Sequence, residues 1–202
     1  IPLRLVGSEM CIRDRIPEAR KDDAYAIAKD AAEKVVVGDP KKDGTTIGPL
    51  VSDVQYEKVQ NLIQKGIDEG AKLLIGGTGK PQGLEKGYYA KPTIFADVEN
   101  DMTISKEEIF GPVLSMITYK NIDDAVAIAN DTEYGLAAYV SGENKETLTS
   151  IARRLRAGQI HINYGSAGPD APFGGFKQSG NGREKAEWGL EEFLEVKAIM
   201  GT

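Results

Sequence analysis

Two adjacent carboxylates open the segment Glu107-Glu108-Ile109-Phe110-Gly111-Pro112-Val113. Gly-Pro turns the chain there and leads it into an apolar strand. A carboxylate on a loop leading into a strand can accept two hydrogen bonds from a vicinal diol such as a ribose. The phenyl face of Phe110 can pack on a planar ring. The plainer reading of the same residues is a solvated acidic pair and a core phenylalanine. A second candidate is Pro172-Phe173-Gly174-Gly175-Phe176-Lys177-Gln178-Ser179-Gly180-Asn181-Gly182-Arg183-Glu184. Five glycines in the sixteen residues from Gly174 to Gly189 imply tight turns or close backbone approach. Two aromatics on such a loop could wall a pocket, or the segment could be a structural crossover.

Other residue patterns lead away from chemistry. Gly76-Gly77-Thr78-Gly79-Lys80 ends like a phosphate loop, but Leu74 stands where the first glycine belongs and Pro81 replaces the required Ser or Thr. It reads as a turn. Gly180-Asn181-Gly182 begins like a dinucleotide fingerprint, and Lys185 occupies the place of the third glycine. His161, between Ile160 and Ile162 in a strand, reads as a satisfied or solvent-facing histidine. One cysteine and one histidine make a structural zinc site improbable, and no metal is expected.

The elements that must position these residues follow from periodicity. Ala24, Ile27, Ala28, Ala31 and Val35 repeat at helical spacing until Gly38 and Pro40. Val59, Leu62, Ile63 and Ile67 repeat after Ser52-Asp53-Val54-Gln55, which has capping-box form. Two further helices are predicted on Ile122, Ala125, Val126 and Ala129, and on Leu148, Ile151, Ala152 and Leu155. Strand character marks 73–75, 93–95, 113–119, 138–140 and 159–163. Strand and helix alternate, which predicts an α/β fold: an open, mostly parallel sheet flanked by helices. At the end, Leu194, Val196, Ala198 and Met200 alternate with Glu195, Lys197 and Ile199. A terminal strand of that kind could pair with the sheet edge of another chain.

The chain has 202 residues, 41% hydrophobic and 28% charged, as an ordinary globular protein has. A net charge of −6 argues against a nucleic-acid grip or a polybasic membrane surface. No apolar run approaches the roughly 20 residues of a spanning helix. The single Cys11 forbids an internal disulfide and fits a reducing, cytoplasmic setting. The chain begins at Ile1 without a signal-peptide core, and its natural start is expected to be missing.

The heptad at 107–113 and the stretch at 172–184 together resemble motifs of the NAD(P)-dependent aldehyde dehydrogenase superfamily. Val37-Gly38-Asp39-Pro40, Ile47-Gly48-Pro49-Leu50 and Asn130 through Ala137 fall in the family's order. The resemblance runs from about Ile16 to Thr202 and covers the C-terminal, catalytic-domain part. It implies oxidation of an aldehyde to a carboxylic acid with NAD or NADP, through a cysteine thioester. By the same resemblance Glu108 binds the hydroxyls of the nicotinamide ribose, Phe110 packs near the nicotinamide ring and Phe173 lines the aldehyde channel. The final strand resembles the oligomerisation arm of a homodimer or homotetramer.

The departures are equally specific. The family's cofactor-binding domain, general-base glutamate and oxyanion asparagine belong to a part these residues do not contain. Arg13 stands where the family has an arginine five residues after its nucleophile, which puts the nucleophile's place at Ser8. Cys11 lies three residues late, outside attack geometry, so no catalytic residue is assigned. Ile1 to Arg15 shows no helical or strand period and reads as foreign sequence, followed by a catalytic domain over 16–190 and the oligomerisation strand over 191–202. Two other readings stay open: a non-catalytic oligomerising fragment, and a superfamily member that passes its acyl group to coenzyme A.

Overall fold

In the computed structural model, residues 11–201 are described, with side chains from Arg13 onward. The chain divides after Asn121 into two compact units. The first unit holds β1 (Cys11–Pro17), α1 (Lys21–Glu33), α2 (Asp53–Asp68), β2 (Lys72–Ile75), β3 (Thr93–Ala96), α3 (Thr103–Lys106) and β4 (Val113–Tyr119). The second holds α4 (Ile122–Asn130), β5 (Ala137–Val140), α5 (Lys145–Arg154), β6 (Gln159–Ile162) and α6 (Ala186–Glu191).

In the first unit the strand order is β1-β4-β3-β2, with β1 and β3 parallel to β4 and only β2 antiparallel. The first five residues of β4, Val113 to Ile117, are buried without alternation, as expected of a strand covered on both faces. On one face Ile16, Ile94, Ala96, Leu114 and Met116 pack with Tyr25, Ala28 and Ala32 of α1. This stripe is rotated from the expected one: Tyr25 goes inward and Ile27 stays exposed. The Tyr25 hydroxyl donates to Asp97 Oδ1 at 3.1 Å and accepts from the Asp97 N–H at 3.2 Å, which lets a tyrosine take a core position.

Helix α2 buries Val59, Leu62, Ile63 and Gly66, whereas Ile67, expected inside, is exposed. A Cβ on Gly66 would stand 2.9 Å from Ile104 Cδ1 and 3.2 Å from Phe95 Cζ. The helix therefore lies on α3 and β3 at a distance only glycine permits. Phe95, Ile63 and Ile104 are fully buried there, contributing about 1.5–3 kcal/mol each.

The second unit is smaller: β5 and β6 form a parallel pair with Tyr139 opposite His161. These rings stack at 4.7 Å, and His161 Nδ1 bonds the Gly165 carbonyl at 2.7 Å, so the histidine is satisfied as expected.

Two expectations concern the ends of the chain. The stretch ending at Arg15, read as lacking strand character, contributes Cys11 to Arg15 to β1, in unbroken register from Cys11↔Val113 to Pro17↔Tyr119. No structural boundary falls at 15/16. At the other end α6 runs to Glu191, and among the described residues of this single chain 192–201, expected to pair with another chain, enter no strand. A strand exists only through its ladder, and the described chain offers this segment none.

Candidate functional site

The loop from Glu107 to Pro112 joins the short α3 to β4, whose first five residues are buried. Its start is fixed by the Glu107 N–H, which donates to Thr103 O at 2.8 Å. The N-terminus of α3 is itself held by the Glu69 carboxylate, which accepts from Thr103 N at 2.7 Å and from Thr103 Oγ1 at 2.6 Å. These bonds hold the Glu69 carboxyl below its ordinary pKa, the Thr103 hydroxyl contributing most. The loop's end is fixed by the Thr93 N–H, which donates to Pro112 O at 2.9 Å.

Within this frame Ile109 is buried, Glu108 half-buried, and Phe110 37% exposed. Phe110 adopts φ +57°, the left-handed region that bulky residues avoid at a cost of about 1–2 kcal/mol. Two contacts from α2 hold it there. Gln55 Nε2 donates to the Ile109 carbonyl at 3.1 Å and to the Phe110 carbonyl at 2.9 Å. One turn further along, a Cβ on Gly111 would stand 2.6 Å from Val59 Cγ2, so the loop backbone lies directly on the helix. Two hydrogen bonds at about 1 kcal/mol each match the strain they offset.

The result is a carboxylate and an outward phenyl ring two residues apart, on a loop braced on both sides. A diol and a planar ring joined to it, as in a ribosyl heterocycle, fit that pair. The pair offers nothing to a phosphate. The Gly76–Lys80 turn does not supply that either: its Gly77 and Gly79 N–H groups donate to Thr93 Oγ1 and Gln60 Oε1. Among the described residues no cluster of His, Cys, Asp or Glu could hold a metal.

In the second unit Phe173 is half-buried and its backbone pairs with Glu184, N–H to O at 2.9 Å and 2.6 Å. Lys185 Nζ sits 5.4 Å from the Phe173 ring centre and Arg183 lies 5.2 Å from that of Phe176. The loop is docked by its backbone. Phe176 N donates to Gly135 O, Ser179 Oγ accepts from Gly135 N, and Lys177 Nζ donates to the carbonyls of Asn130 and Thr132. Two stretches read separately in the sequence, 130–137 and 172–184, are thus one structural unit. The backbone of the second candidate is docked on 130–137, while Phe173 stays half-buried.

The place of the nucleophile, Ser8, lies outside the described residues. Cys11 opens β1 opposite Val113, and its side chain is not among those described.

Gln55 escaped the sequence reading because Ser52-x-x-Gln55 accounted for it locally. Half of that expectation holds: Ser52 Oγ accepts from Gln55 N at 3.2 Å. The other half does not, because the Gln55 side chain goes to the loop at 109–110.

Residues 10–199 match the sequence profile described as the aldehyde dehydrogenase family. A Staphylococcus haemolyticus relative named "putative aldehyde dehydrogenase" is 58% identical over 186 residues, which is 92% of this chain and 39% of the relative. A mutant of aldehyde dehydrogenase C from Pseudomonas syringae, complexed with NAD+ and octanal, is 52% identical with a TM-score of 0.90. The match covers 93% of this chain and 39% of that one. A Mycobacterium tuberculosis aldehyde dehydrogenase complexed with NAD+ is 45% identical with a TM-score of 0.86, covering 90% and 37%. The chain thus spans about two-fifths of the length of the relatives it matches.

Proposed function

Because the chain belongs to the aldehyde dehydrogenase family, we propose that it forms the catalytic-domain part of an enzyme oxidising an aldehyde to an acid with NAD or NADP. The observation that carries this is the braced loop at 107–112, which presents Glu108 beside an outward, strained Phe110. Glu108 accepts the two ribose hydroxyls, and Phe110 covers one face of the nicotinamide. Phe173 lines the passage through which the aldehyde enters. The nicotinamide, when bound, accepts the hydride; these residues fix where it lies and keep water from that face.

Replacing Glu108 by Gln keeps the shape and removes the charge. In a version extended to the relatives' length, Glu108→Gln is expected to slow hydride transfer about 10- to 100-fold, as loss of a charge-assisted pair of hydrogen bonds implies. Stopped-flow absorbance of NADH formation reads this directly. An unchanged rate removes the ribose role.

A second reading is supported by the displaced cysteine and by the chain's end: the polypeptide as written is an oligomerising fragment without turnover. Phe193, Val196, Ile199 and Met200 are each more than four-fifths exposed, an apolar row of the kind that marks an interaction surface. The cytoplasmic assembly would be a homodimer or homotetramer, built by this segment joining a partner's sheet edge. The isolated chain is expected to self-associate in multi-angle light scattering, and Val196→Lys with Ile199→Lys to return it to a monomer. A monomer at high concentration before substitution contradicts the assembly role. Among the described residues no helix is long and apolar enough to cross a membrane.

A further inference from the structure

We infer that Gln55 is a positioning residue for the nicotinamide end of the site, acting through the backbone of Ile109 and Phe110. The inference rests on the ribose-and-ring reading of Glu108 and Phe110. Local sequence logic and the observed fold disagree at this residue. In a capping box the N3 glutamine returns to the N-cap backbone N–H. Here Ser52 caps α2 in the ordinary way, with its Oγ accepting from Gln55 N at 3.2 Å. The Gln55 side chain instead spans 54 and 55 residues of sequence to reach two successive carbonyls.

The geometry also fixes which end of the amide faces the loop. Two carbonyl oxygens at 3.1 and 2.9 Å need two donors, and an amide NH2 has two. The amide oxygen in that place would face two acceptors and repel both. The carbonyls it holds bracket Phe110, whose φ is +57°. On the other side of the same residue, Gly111 rests against Val59 of the same helix. One helix therefore controls the backbone before and after the aromatic. Releasing the amide leaves Phe110 free to return to an ordinary φ, which swings its ring away from the Glu108 carboxylate's partner.

The test compares the 202-residue chain with Gln55→Ala and Gln55→Glu. Hydrogen exchange is measured on the peptide spanning 107–113, always relative to the unsubstituted chain at the same pH. Gln55→Ala is expected to speed exchange there at least about tenfold, with peptides of β3 and β4 unchanged. Gln55→Glu has nearly the same shape, but it donates only when protonated. It is expected to match the alanine variant at pH 8 and to recover toward the unsubstituted chain at pH 5, because the two carbonyl oxygens facing the carboxyl disfavour its charged form and raise its pKa above the ordinary value of about 4.3. A space-filling role would show no such titration.

Binding of nicotinamide mononucleotide, read by saturation-transfer NMR, separates the two readings. Gln55→Glu should lose the signal at pH 8 and regain it at pH 5, while Glu108→Gln loses the signal with loop exchange unaltered. If Glu108→Gln keeps the signal, the ribose reading fails and the exchange data still decide the role of Gln55. Exchange in Gln55→Ala equal to that of the unsubstituted chain, or a pH-independent Gln55→Glu, overturns the inference. Should the alanine variant not fold, the titration of Gln55→Glu against itself decides alone.

Discussion

Gly158→Ala undocks the loop from 172 to 184. A Cβ on Gly158 would overlap the Gly174 carbonyl oxygen outright and stand 2.8 Å from its carbon. Both are backbone atoms, so no rotamer change relieves the overlap. The neighbourhood is equally constrained. Gly158 N donates to Gly135 O at 3.0 Å, and Phe176 N donates to the same oxygen at 2.8 Å. A Cβ on Gly135 would itself meet Arg156 O at 2.5 Å. Three chain segments share one small space, and an added methyl must expel one of them. The loop is the segment that can leave, because its other anchors are hydrogen bonds rather than strand pairing.

Extra carbon in a packed core costs about 1–3 kcal/mol when side chains can adjust. With backbone on both sides the cost should lie at or above the top of that range. About 3 kcal/mol corresponds to a roughly 100-fold larger open population, and proteolysis follows that population when opening is fast. Trypsin should therefore cut after Lys177 and Arg183 about 100-fold faster in Gly158→Ala. Lys177 is the sensitive reporter, since its ammonium is held by the Asn130 and Thr132 carbonyls until the loop leaves. Cleavage at the unsubstituted rate would show that the loop is held by something other than this approach.

How much of this was legible beforehand depends on the range of the interaction. Helices α2, α4 and α5 and the strands at 72–75, 93–96 and 113–119 lie where hydrophobic spacing puts them, because burial of one face is a local pattern. Glu108 and Phe110 stood out because their heptad resembles a family motif; from the residues alone the plainer reading of a solvated acidic pair and a core phenylalanine stood beside it. What stayed hidden depended on a partner far away in the chain. Ile27 and Tyr25 exchanged places because Asp97 satisfies the tyrosine hydroxyl. Ile67 yielded to Gly66 because Ile104 and Phe95 come so close. The Gln55 side chain left its local cap for a loop more than fifty residues on. The final segment alternates like a strand and has no ladder, a property that one chain's sequence cannot reveal.

In β1 the residue pattern is wrong for the place. Asp14 pairs with Met116 in the parallel register, on the face that Ile16 shares with α1. Arg15 points to the opposite face, beside Ile117. Burial pushes the Asp14 carboxyl above its ordinary pKa, the neighbouring Arg15 charge only partly countering it. Burial pulls the Arg15 guanidinium down to about 10, with the Arg13 charge adding to the shift and Asp14 opposing it. Among the described residues, Nε of Arg13 and Nε of Arg15 have no hydrogen-bond partner. Such charges oppose folding, since desolvation exceeds the attraction unless every donor is satisfied. We therefore expect Asp14→Leu with Arg15→Val to stabilise the chain, by about 1–4 kcal/mol, the scale on which apolar residues replace desolvated charges. The pH dependence separates the two contributions. Because its folded pKa is raised, Asp14 costs nothing in acid, where it is neutral in both states. Its cost grows as pH rises from its unfolded value, about 3.9, through the higher folded one. Arg15 is charged in both states at any pH well below 10, so its cost is constant across that range and declines only as pH rises beyond about 10. Urea melts at pH 4 and pH 7.5 should thus show a pH-dependent gain for Asp14→Leu and a nearly constant gain for Arg15→Val. Destabilisation by the double substitution would mean that these charges serve the fold.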